Sequence, residues 1–307
     1  MDLSHEGPSP PEGIHLRPAT HDDYEAIAAF TRDTWTEVSD YLPDVYHDWI
    51  DGENKQTLVA DAGDAIAGIA QAVMLSPSEA WTQGMRVNPA FRGQGVSEAV
   101  TRALFGWARE QGAAVARNMV FSWNEAGMGQ SRSLGYEPVA EFRWLHPEPA
   151  AGDLPATVTS RVDTAWSFWT ASEARTRLAG LALDMDESWA MRELTRGMLR
   201  RASEETALLA VTREDGTRGL AYRTRTLTRD GENGTEQWAE YGVGAWADPE
   251  AAETLLRAVA VDAADCGADR TRVLIPEHPQ TVSDGAYLRA ELGEHPDFVF
   301  AADLTGV

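Results

Sequence analysis

The sequence predicts an α/β protein in which a mixed sheet is flanked by helices, and it divides into two similar halves. Segments with apolar residues at every second position alternate with segments in which apolar residues recur three and four positions apart. A stretch rich in proline, alanine and glycine separates the halves and is typical of a linker. A length of 307 residues also suggests two domains. We therefore expect a flexible tail over residues 1–13, one domain over 14–146, a linker over 147–159 and a second domain over 160–307.

The first domain is expected to contain three strands between its early helices and one amphipathic helix. The predicted order is strand 14–20, helices 21–35 and 43–51, strands 57–60, 65–75 and 78–88, a helix within residues 86–112, strand 113–123, helix 125–136 and strand 137–146. Gly135 is a plausible C-cap for the last of these helices.

The second domain repeats the strand, helix, strand pattern of the first. Its predicted elements are helices 171–183 and 186–205, strands 206–212, 219–228 and 236–246, helix 249–266 and strand 270–276. In both halves a strand ends before a proline, a helix follows, and a Gly-Ala pair precedes the next strand. Pro89 and Gly112 are 23 positions apart, whereas Pro249 and Gly267 are only 18 apart. The second half is therefore shorter here by about the length of the glycine-rich turn of the first half.

The charge of the chain excludes several classes of partner. The formal net charge is -23, and Lys55 is the only lysine. Such a surface repels nucleic acid and anionic membranes, so neither is an expected partner. Many carboxylates with almost no lysine suit a halophilic protein in a high-salt cytoplasm. A genome of high GC content also favours arginine over lysine, and both explanations stay open.

Cysteine usage and hydropathy predict a cytoplasmic protein. Cys266 is the only cysteine, so an intrachain disulfide is excluded and a reducing compartment is expected. The sequence has no run of about 18 apolar residues, and its start carries acids and prolines where a signal peptide has a basic and then an apolar stretch. The histidines and the cysteine show no metal-ligand spacing such as HExxH or CxxC, so no metal is expected.

The segment from Arg86 to Gly112 carries the most informative pattern. It passes from a strand end through Pro89 and a turn that contains Gly93 and Gly95, and it continues into the amphipathic helix. Glycines allow a ligand to approach the backbone, and a helix start offers unpaired N–H groups and a positive dipole end. With Arg92 these features form a candidate phosphate site, and the alternative is a plain tight turn. The P-loop and dinucleotide-binding spacings are both absent.

This segment resembles the GNAT-type N-acetyltransferase superfamily. The family signature is Q/R-x-x-G-x-G/A, commonly preceded by V-x-P-x-(aromatic). The matching residues here are Val87, Pro89, Phe91, Arg92, Gly95 and, as a small residue in place of glycine or alanine, Ser97. A later family pattern is matched by Asn124, Gly127, Leu134, Gly135 and Tyr136. The resemblance covers nearly the whole first half, and it implies tandem GNAT-like domains of which the second is degenerate and binds no coenzyme.

The resemblance also implies a cosubstrate, acetyl-CoA, and residues that bind it. Backbone amides of the glycine turn hold the coenzyme pyrophosphate, and the strand end at Met85–Val87 pairs with the pantetheine arm. Asn124 follows the fifth strand, where cofactor and acceptor meet in the family. The candidate cofactor-binding residues are therefore Met85, Arg86, Val87, Arg92, Gly93, Gln94, Gly95, Val96, Ser97 and Asn124.

Candidate catalytic residues are less well marked. Acetyl transfer needs a base for the amine, donors for the oxyanion and an acid for the departing thiolate. Alignment on the later pattern puts Ser131 where the family often has a tyrosine acid, so the usual acid is missing. Two alternatives stay open: the thiolate leaves without an acid, or Ser131 relays a proton through water. Asn124 is the second candidate catalytic residue, with a helix N-cap as its alternative role.

Other polar side chains are weaker candidates for the reaction. No carboxylate lies within residues 80–87, and Glu79 falls just before them. His47 is expected to be solvated or to cap a helix rather than to face an acceptor. Glu37 and Asp40 are expected as surface charges, and the face on which Arg117 lies stays open.

The sequence therefore predicts a cytoplasmic, acetyl-CoA-dependent N-acetyltransferase that acts on a small amine or amino acid by direct attack on the thioester. The stretch QGMRVNP loosely resembles members of the family that acetylate free histidine. The alternatives are acetylation of protein N-termini or lysines, and a non-catalytic acyl-CoA sensor. The expected role of the second half is to complete the acceptor pocket or to stabilise a homodimer. The tryptophans Trp81, Trp107 and Trp123 are expected to fill a core or an interface.

The halophile interpretation makes a prediction about salt. Many of the 49 acidic residues must lie close together on the surface, and their repulsion destabilises the folded state when screening is weak. We expect the melting temperature to rise between low and molar KCl in a thermal unfolding series. A flat or falling curve would leave genomic composition as the reason for the missing lysines.

Overall fold

The computed structural model describes residues 10–32, 40–231 and 234–306. The strands are β1 His15–Pro18, β2 Lys55–Asp61, β3 Ile66–Ser76, β4 Glu79–Val87, β5 Val115–Phe121, β6 Glu137–His146, β7 Val158–Thr159, β8 Leu181–Leu183, β9 Met191–Glu193, β10 Ala207–Arg213, β11 Gly216–Gly231, β12 Gly234–Trp246, β13 Arg270–Pro276, β14 Glu291–Leu292 and β15 Asp297–Asp303. The helices are α1 Tyr24–Thr31, α2 Leu42–Ile50, α3 Val96–Glu110, α4 Glu125–Ser133, α5 Val162–Ala171, α6 Glu173–Arg177, α7 Arg196–Glu205, α8 Pro249–Asp265 and α9 Pro279–Tyr287. None of the helices in these ranges combines the length and the apolar character needed to cross a bilayer. The predicted fold class, a mixed sheet with flanking helices, is confirmed.

The first of two compact units comprises the described residues up to Asn118 together with 128–137 and 300–306. Its strand order is β1-β2-β3-β4-β5, followed by the end of β15, and the β4–β5 pair is parallel. Helix α3 packs on β2 and β3 through a buried apolar stripe. The packing is close at Gly68, where a Cβ would come within 2.9 Å of Val96 Cγ1. A small residue in β3 therefore fixes the start of α3 against the sheet.

The second unit comprises residues 119–127 and 138–299. Its strand order is β6-β13-β12-β11-β10-β7, and β12 and β13 are parallel. Helix α8 supplies alanine, valine and leucine to a core that is shared with β10 to β13. The sequence of parallel strand, long helix and parallel strand therefore occurs in this unit as it does in the first.

The second unit also contains an ion pair in its interior. Arg272 and Glu240 are almost fully buried and bonded to each other. The Arg272 guanidinium carbon lies 4.6 Å from the ring centroid of Trp144 and 4.4 Å from that of Trp189. Burial lowers the pKa of Arg272 to about 10, so the guanidinium stays charged at neutral pH. Loss of Glu240 would leave the buried charge of Arg272 uncompensated, which is strongly destabilising, whereas Glu240 also pairs with Arg225 at 3.2 Å.

Two predicted helices of the second half are wrong in extent. Residues 171–183 form α6 and then β8, because Ala179 and Gly180 have positive φ and end the helix. Residues 186–205 form β9 before α7, and β8 pairs with β9 as a hairpin. Helix α5 and the elements after residue 276 had no predicted counterpart. The predicted helix 21–35 is present over Tyr24–Thr31, and its end lies outside the described residues.

The compact units do not coincide with the predicted domain limits. Residues 119–127 and 138–146 cluster with the second unit, and residues 300–306 cluster with the first. These assignments depend on which strands pair, and strand pairing joins segments that are far apart in sequence. That residues 147–159 form a linker between two acetyltransferase-like halves remains a prediction.

Candidate functional site

The glycine turn before α3 is open to solvent. After a 3₁₀ turn at Pro89–Phe91, Gly93 has a φ of +74° and Gly95 a φ of +81°. Both conformations lie in the left-handed region that glycine adopts without strain. Among the described residues, a Cβ on Gly93 would meet no atom within 4 Å, and one on Gly95 would meet only Pro11 Cγ at 4.0 Å. The turn therefore exposes its backbone and leaves room for a ligand beside it.

The start of α3 carries no capping side chain. Gly95 occupies the N-cap position and, having no side chain, cannot accept from the first turn. The first N–H groups of an α-helix have no partner within the helix, and they form the positive end of its dipole. Val96 is buried, while Arg92 to Gly95 are exposed, so the chain presents these donors from a fixed helix end. This arrangement suits an anion such as a pyrophosphate.

Strand β4 contains a bulge that leads to this turn. Ile69 pairs with Arg86 and Gln71 with Gln83, so that Gly84 and Met85 together face one residue of β3. Gly84 has a φ of +65°, and a Cβ there would come within 2.1 Å of the Trp49 ring. Glycine is therefore required both by the backbone and by the packing. The bulge bends the strand just before Met85–Val87, which are the residues predicted to pair with the pantetheine arm.

Strands β4 and β5 separate before the chain reaches the bulge. Their parallel pairing covers only Glu79 to Trp81 of β4, although β4 continues to Val87. At the point of separation the Thr82 hydroxyl donates to the carbonyl of Arg117 at 3.3 Å and lies 2.5 Å from the hydroxyl of Tyr136. Beyond it, no described strand pairs with the edge of β4 that faces away from β3. Extended ligands bind such edges by adding to the sheet.

Tyr136 is a structural residue of this region. It is buried, its ring packs on Phe105, and burial raises the pKa of its hydroxyl above the ordinary value. The hydroxyl therefore stays protonated and bonded to Thr82 at neutral pH.

Two weak candidates for the reaction form buried ion pairs. Asp40, predicted as a surface charge, has a fully buried side chain that binds Arg86 through two bonds of 2.6 and 3.1 Å. That prediction was wrong because the partner lies 46 positions away and is placed by the sheet. Arg117 donates to Glu79 at 2.6 Å, and both are buried. Glu37 lies outside the described residues.

His47 is exposed, as expected of a solvated histidine. Its Nδ1 lies 2.9 Å from Nδ1 of His21, and its ring stacks on Tyr24. In the described part of the chain no group of three or more histidine, cysteine, aspartate or glutamate side chains is arranged to hold a metal ion.

Ser131, the predicted relay, is buried in the first unit. Its hydroxyl accepts a bond of 3.1 Å from the side-chain amide of Asn118, which is the first residue of β5 beyond the parallel pairing. The other amide atom of Asn118, Oδ1, is buried and has no hydrogen-bond partner among the described residues. Sequence reasoning missed Asn118, and its position after Arg117 on a predicted strand gave no signal of a partner in the next helix.

Asn124 belongs to the second unit and caps α4. Its Oδ1 accepts from the backbone N–H of Gly127 at 2.9 Å, which is the N-cap role given as the alternative. A Cβ on Gly127 would come within 2.6 Å of the Asn124 amide nitrogen. Its predicted catalytic and coenzyme roles stay predictions. Among the tryptophans, Trp81 and Trp107 are buried as expected, but Trp123 is 48% exposed and stacks on Phe121.

The corresponding helix of the second unit starts differently. Asp248 caps α8 by accepting from the N–H of Ala251 at 2.8 Å. Arg213 and Arg218 bind the same carboxylate at 3.2 and 3.0 Å. An internal anion therefore already occupies this helix start and is neutralised there. The sequence Asp248-Pro249, a capping residue before a proline at the first helical position, could have signalled this.

Comparisons with known proteins find similarity in the region that contains the glycine turn. Residues 23–136 match the model of the Acetyltransferase (GNAT) family. A histidine N-acetyltransferase of Oreochromis niloticus is 28% identical over 108 residues, which are 33% of this chain and 32% of that protein. The chain thus spans about a third of the length of that relative.

Solved structures resemble the chain over nearly its whole length. A GCN5-related N-acetyltransferase from Sphaerobacter thermophilus aligns with a TM-score of 0.60 at 14% sequence identity. The alignment covers 96% of this chain and 97% of that one. A tandem GNAT protein from the clavulanic acid biosynthesis pathway has a TM-score of 0.54 at 12% identity, with coverage of 96% and 99%. At sequence identities this low, the structural similarity establishes the fold alone. Residues 23–136 therefore match the GNAT acetyltransferase family, and the chain as a whole has the fold of tandem GNAT proteins.

The open glycine turn makes a prediction about coenzyme affinity. In Gly95→Val the new side chain would project into the space beside the N–H groups of α3 and would block an approaching pyrophosphate. We expect acetyl-CoA affinity to fall at least tenfold, or about 1.4 kcal/mol, in an equilibrium titration.

Gly63→Val is a matched control for this variant. Gly63 has a φ of +90° and open space around its Cβ position, so valine is strained there in the same way but lies in the β2–β3 turn. Unchanged affinity in folded Gly95→Val, or an equal loss in Gly63→Val, would show that the turn is not the coenzyme site.

Proposed function

We propose that the first unit transfers the acetyl group of acetyl-CoA to the amino group of a small amine or free amino acid. The observation that carries the proposal is the uncapped start of α3 behind two glycines of positive φ. The family match of residues 23–136 supports the same reaction class.

The backbone of the first unit would bind the coenzyme. The N–H groups from Gly93 to Ser97 would donate to the pyrophosphate, and Arg92 would add a charge-assisted bond at the exposed rim. The free edge of β4 at Met85–Val87 would hold the extended pantetheine arm. Arg86 would contribute through its main chain, since its side chain is bonded to Asp40.

Transfer needs a polarised carbonyl and a route for two protons. Acetyl-CoA supplies an activated thioester when it is bound. A backbone N–H of Met85–Val87 would stabilise the oxyanion as the amine nitrogen bonds to the acyl carbon and the carbon–sulfur bond breaks. The attacking nitrogen loses one proton, and the departing sulfur accepts one.

The two protons have different routes in this unit. Among the described residues of β4 no carboxylate lies between Ala80 and Val87, and Glu79 and Asp40 are bonded to arginines. We therefore assign removal of the amine proton to water. Delivery of a proton to the sulfur is assigned to Ser131 as a relay: its hydroxyl, oriented by Asn118, donates to the sulfur as it takes a proton from water.

The proposed acceptor class is the free amino acid, with histidine as the first candidate. The curated relative is named a histidine N-acetyltransferase, and its similarity lies in a segment that makes up 33% of this chain. A strongly acidic protein also attracts cationic amines and repels polyanions. A cytoplasmic location, adaptation to high salt and a homodimer remain part of the proposal.

An acceptor screen tests the reaction itself. Release of free thiol from acetyl-CoA would be followed with histidine, other amino acids, polyamines, and peptides with free N-termini or lysines, at low and high KCl. We expect turnover with a small amine or amino acid. Turnover with peptides alone would favour a protein acetyltransferase, and tight acetyl-CoA binding without thiol release would make the protein a sensor.

Replacement of Ser131 tests the proton route. We expect Ser131→Ala to lower kcat at least tenfold at neutral pH with little change in KM, because protonation of a leaving group by a positioned side chain contributes at least about a hundredfold in many enzymes. The deficit should shrink above about pH 8.5, the ordinary pKa of a thiol, because the thiolate then leaves without a proton.

Ser133→Ala is the matched control, since Ser133 lies on the same helix, is exposed and bonds only to the carbonyl of Gln130 among the described residues. A constant deficit of Ser131→Ala across the pH range, or an equal effect of Ser133→Ala, would contradict the relay role.

A further inference from the structure

A cavity of about 290 Å³ lies in the second unit at the ends of its two central parallel strands. Strand β12 pairs with β13 only as far as Tyr241 and Val273, although β12 continues to Trp246 and β13 to Pro276. The strand ends leave a space that is lined by Phe168, Trp246 and Pro276 and by the starts of α6 and α9. The volume suits a small organic molecule.

Asp284 on α9 lines this cavity and is 93% buried. One carboxylate oxygen accepts from the indole N–H of Trp246 at 2.9 Å. The second carboxylate oxygen is accessible to solvent. None of the described residues donates a hydrogen bond to it or forms an ion pair with it. A buried carboxylate without a cationic partner is costly, and it favours a positively charged ligand.

The cationic side chains of the cavity already have partners. Arg177 donates to Glu173 at 2.8 Å and to Nε2 of His278 at 3.0 Å. Arg218 is bonded to Asp248 at 3.0 Å. The positive charges at the rim are therefore neutralised within the protein, while the negative charge of Asp284 is not.

We propose that this cavity binds a small organic ammonium ion, with the ammonium group on Asp284 and an apolar or aromatic body against Trp246 and Phe168. Indole and phenyl faces attract cations and pack on flat ligands. The negative field of the chain would concentrate such ligands near the opening. Binding is independent of the acetyl-transfer proposal, because none of these residues belongs to the glycine turn or to β4.

Calorimetric titration without acetyl-CoA tests the cavity with three probes of similar shape: phenethylammonium, 2-phenylethanol and phenylacetate. We expect phenethylammonium to bind at least tenfold more tightly than the alcohol, and phenylacetate to bind most weakly. Equal affinity of the ammonium and the alcohol, preference for phenylacetate, or no binding of phenethylammonium would overturn the proposal.

Asp284→Asn tests the role of the carboxylate, because asparagine can still accept from Trp246 but carries no charge. We expect it to lower phenethylammonium affinity at least tenfold, while Glu253→Gln, an exposed acid on α8 outside the cavity, leaves the affinity unchanged. Trp246→Phe removes the N–H that orients the carboxylate and should weaken binding to a smaller degree. An unchanged affinity in folded Asp284→Asn would refute the assignment.

Amide hydrogen exchange locates the bound probe. We expect phenethylammonium to slow exchange in residues 279–287 and 242–247 of the wild type, and not in Asp284→Asn. Protection confined to residues 80–97 would place the amine in the first unit, and the cavity would then not be its site.

Discussion

The first N–H groups of a helix need acceptors, and the two units meet this need in different ways. Helix α3 starts behind Gly95, which has no side chain, so its donors are left for an external anion. Helix α8 starts behind Asp248, whose carboxylate accepts from Ala251 and is held by Arg213 and Arg218. One helix start is thus open and the other is satisfied internally. The proposed division into a working unit and a supporting unit depends on this difference.

Separation of the central parallel strands is the second shared feature. In the first unit, pairing stops at Trp81 of β4, and a free strand edge follows. In the second, pairing stops at Tyr241 of β12, and side chains surround the space that follows. The same backbone arrangement can therefore present main-chain groups to an extended coenzyme or enclose a small cavity. Since Asp40 and Glu79 are bonded to arginines, the proposed chemistry of the first unit depends on backbone groups and Ser131 rather than on a carboxylate base.

Local sequence patterns predicted the parts of the fold that local physics determines. Alternating apolar residues identified β3 and β4, and the glycine turn with its following helix was predicted from residue types alone. The hairpin β8–β9 was missed because its apolar residues fit a helical spacing equally well, and the positive φ of Ala179 is not encoded in its residue type. Pairing between residues far apart in sequence could not be predicted from local patterns either. The Asp40–Arg86 pair and the clustering of residues 300–306 with the first unit depend on how the strands are ordered.

The number of acetyl-CoA molecules that bind each chain tests the central claim most directly. A calorimetric titration of the 307-residue chain should give a stoichiometry of one, because among the described helices only α3 has an uncapped start behind glycines. At the start of α8 the carboxylate of Asp248 already accepts from the first turn, so that helix start is not left for a second pyrophosphate. A stoichiometry near two would show that the capped helix also accepts the coenzyme. Absence of binding would show that the glycine turn does not form a coenzyme site.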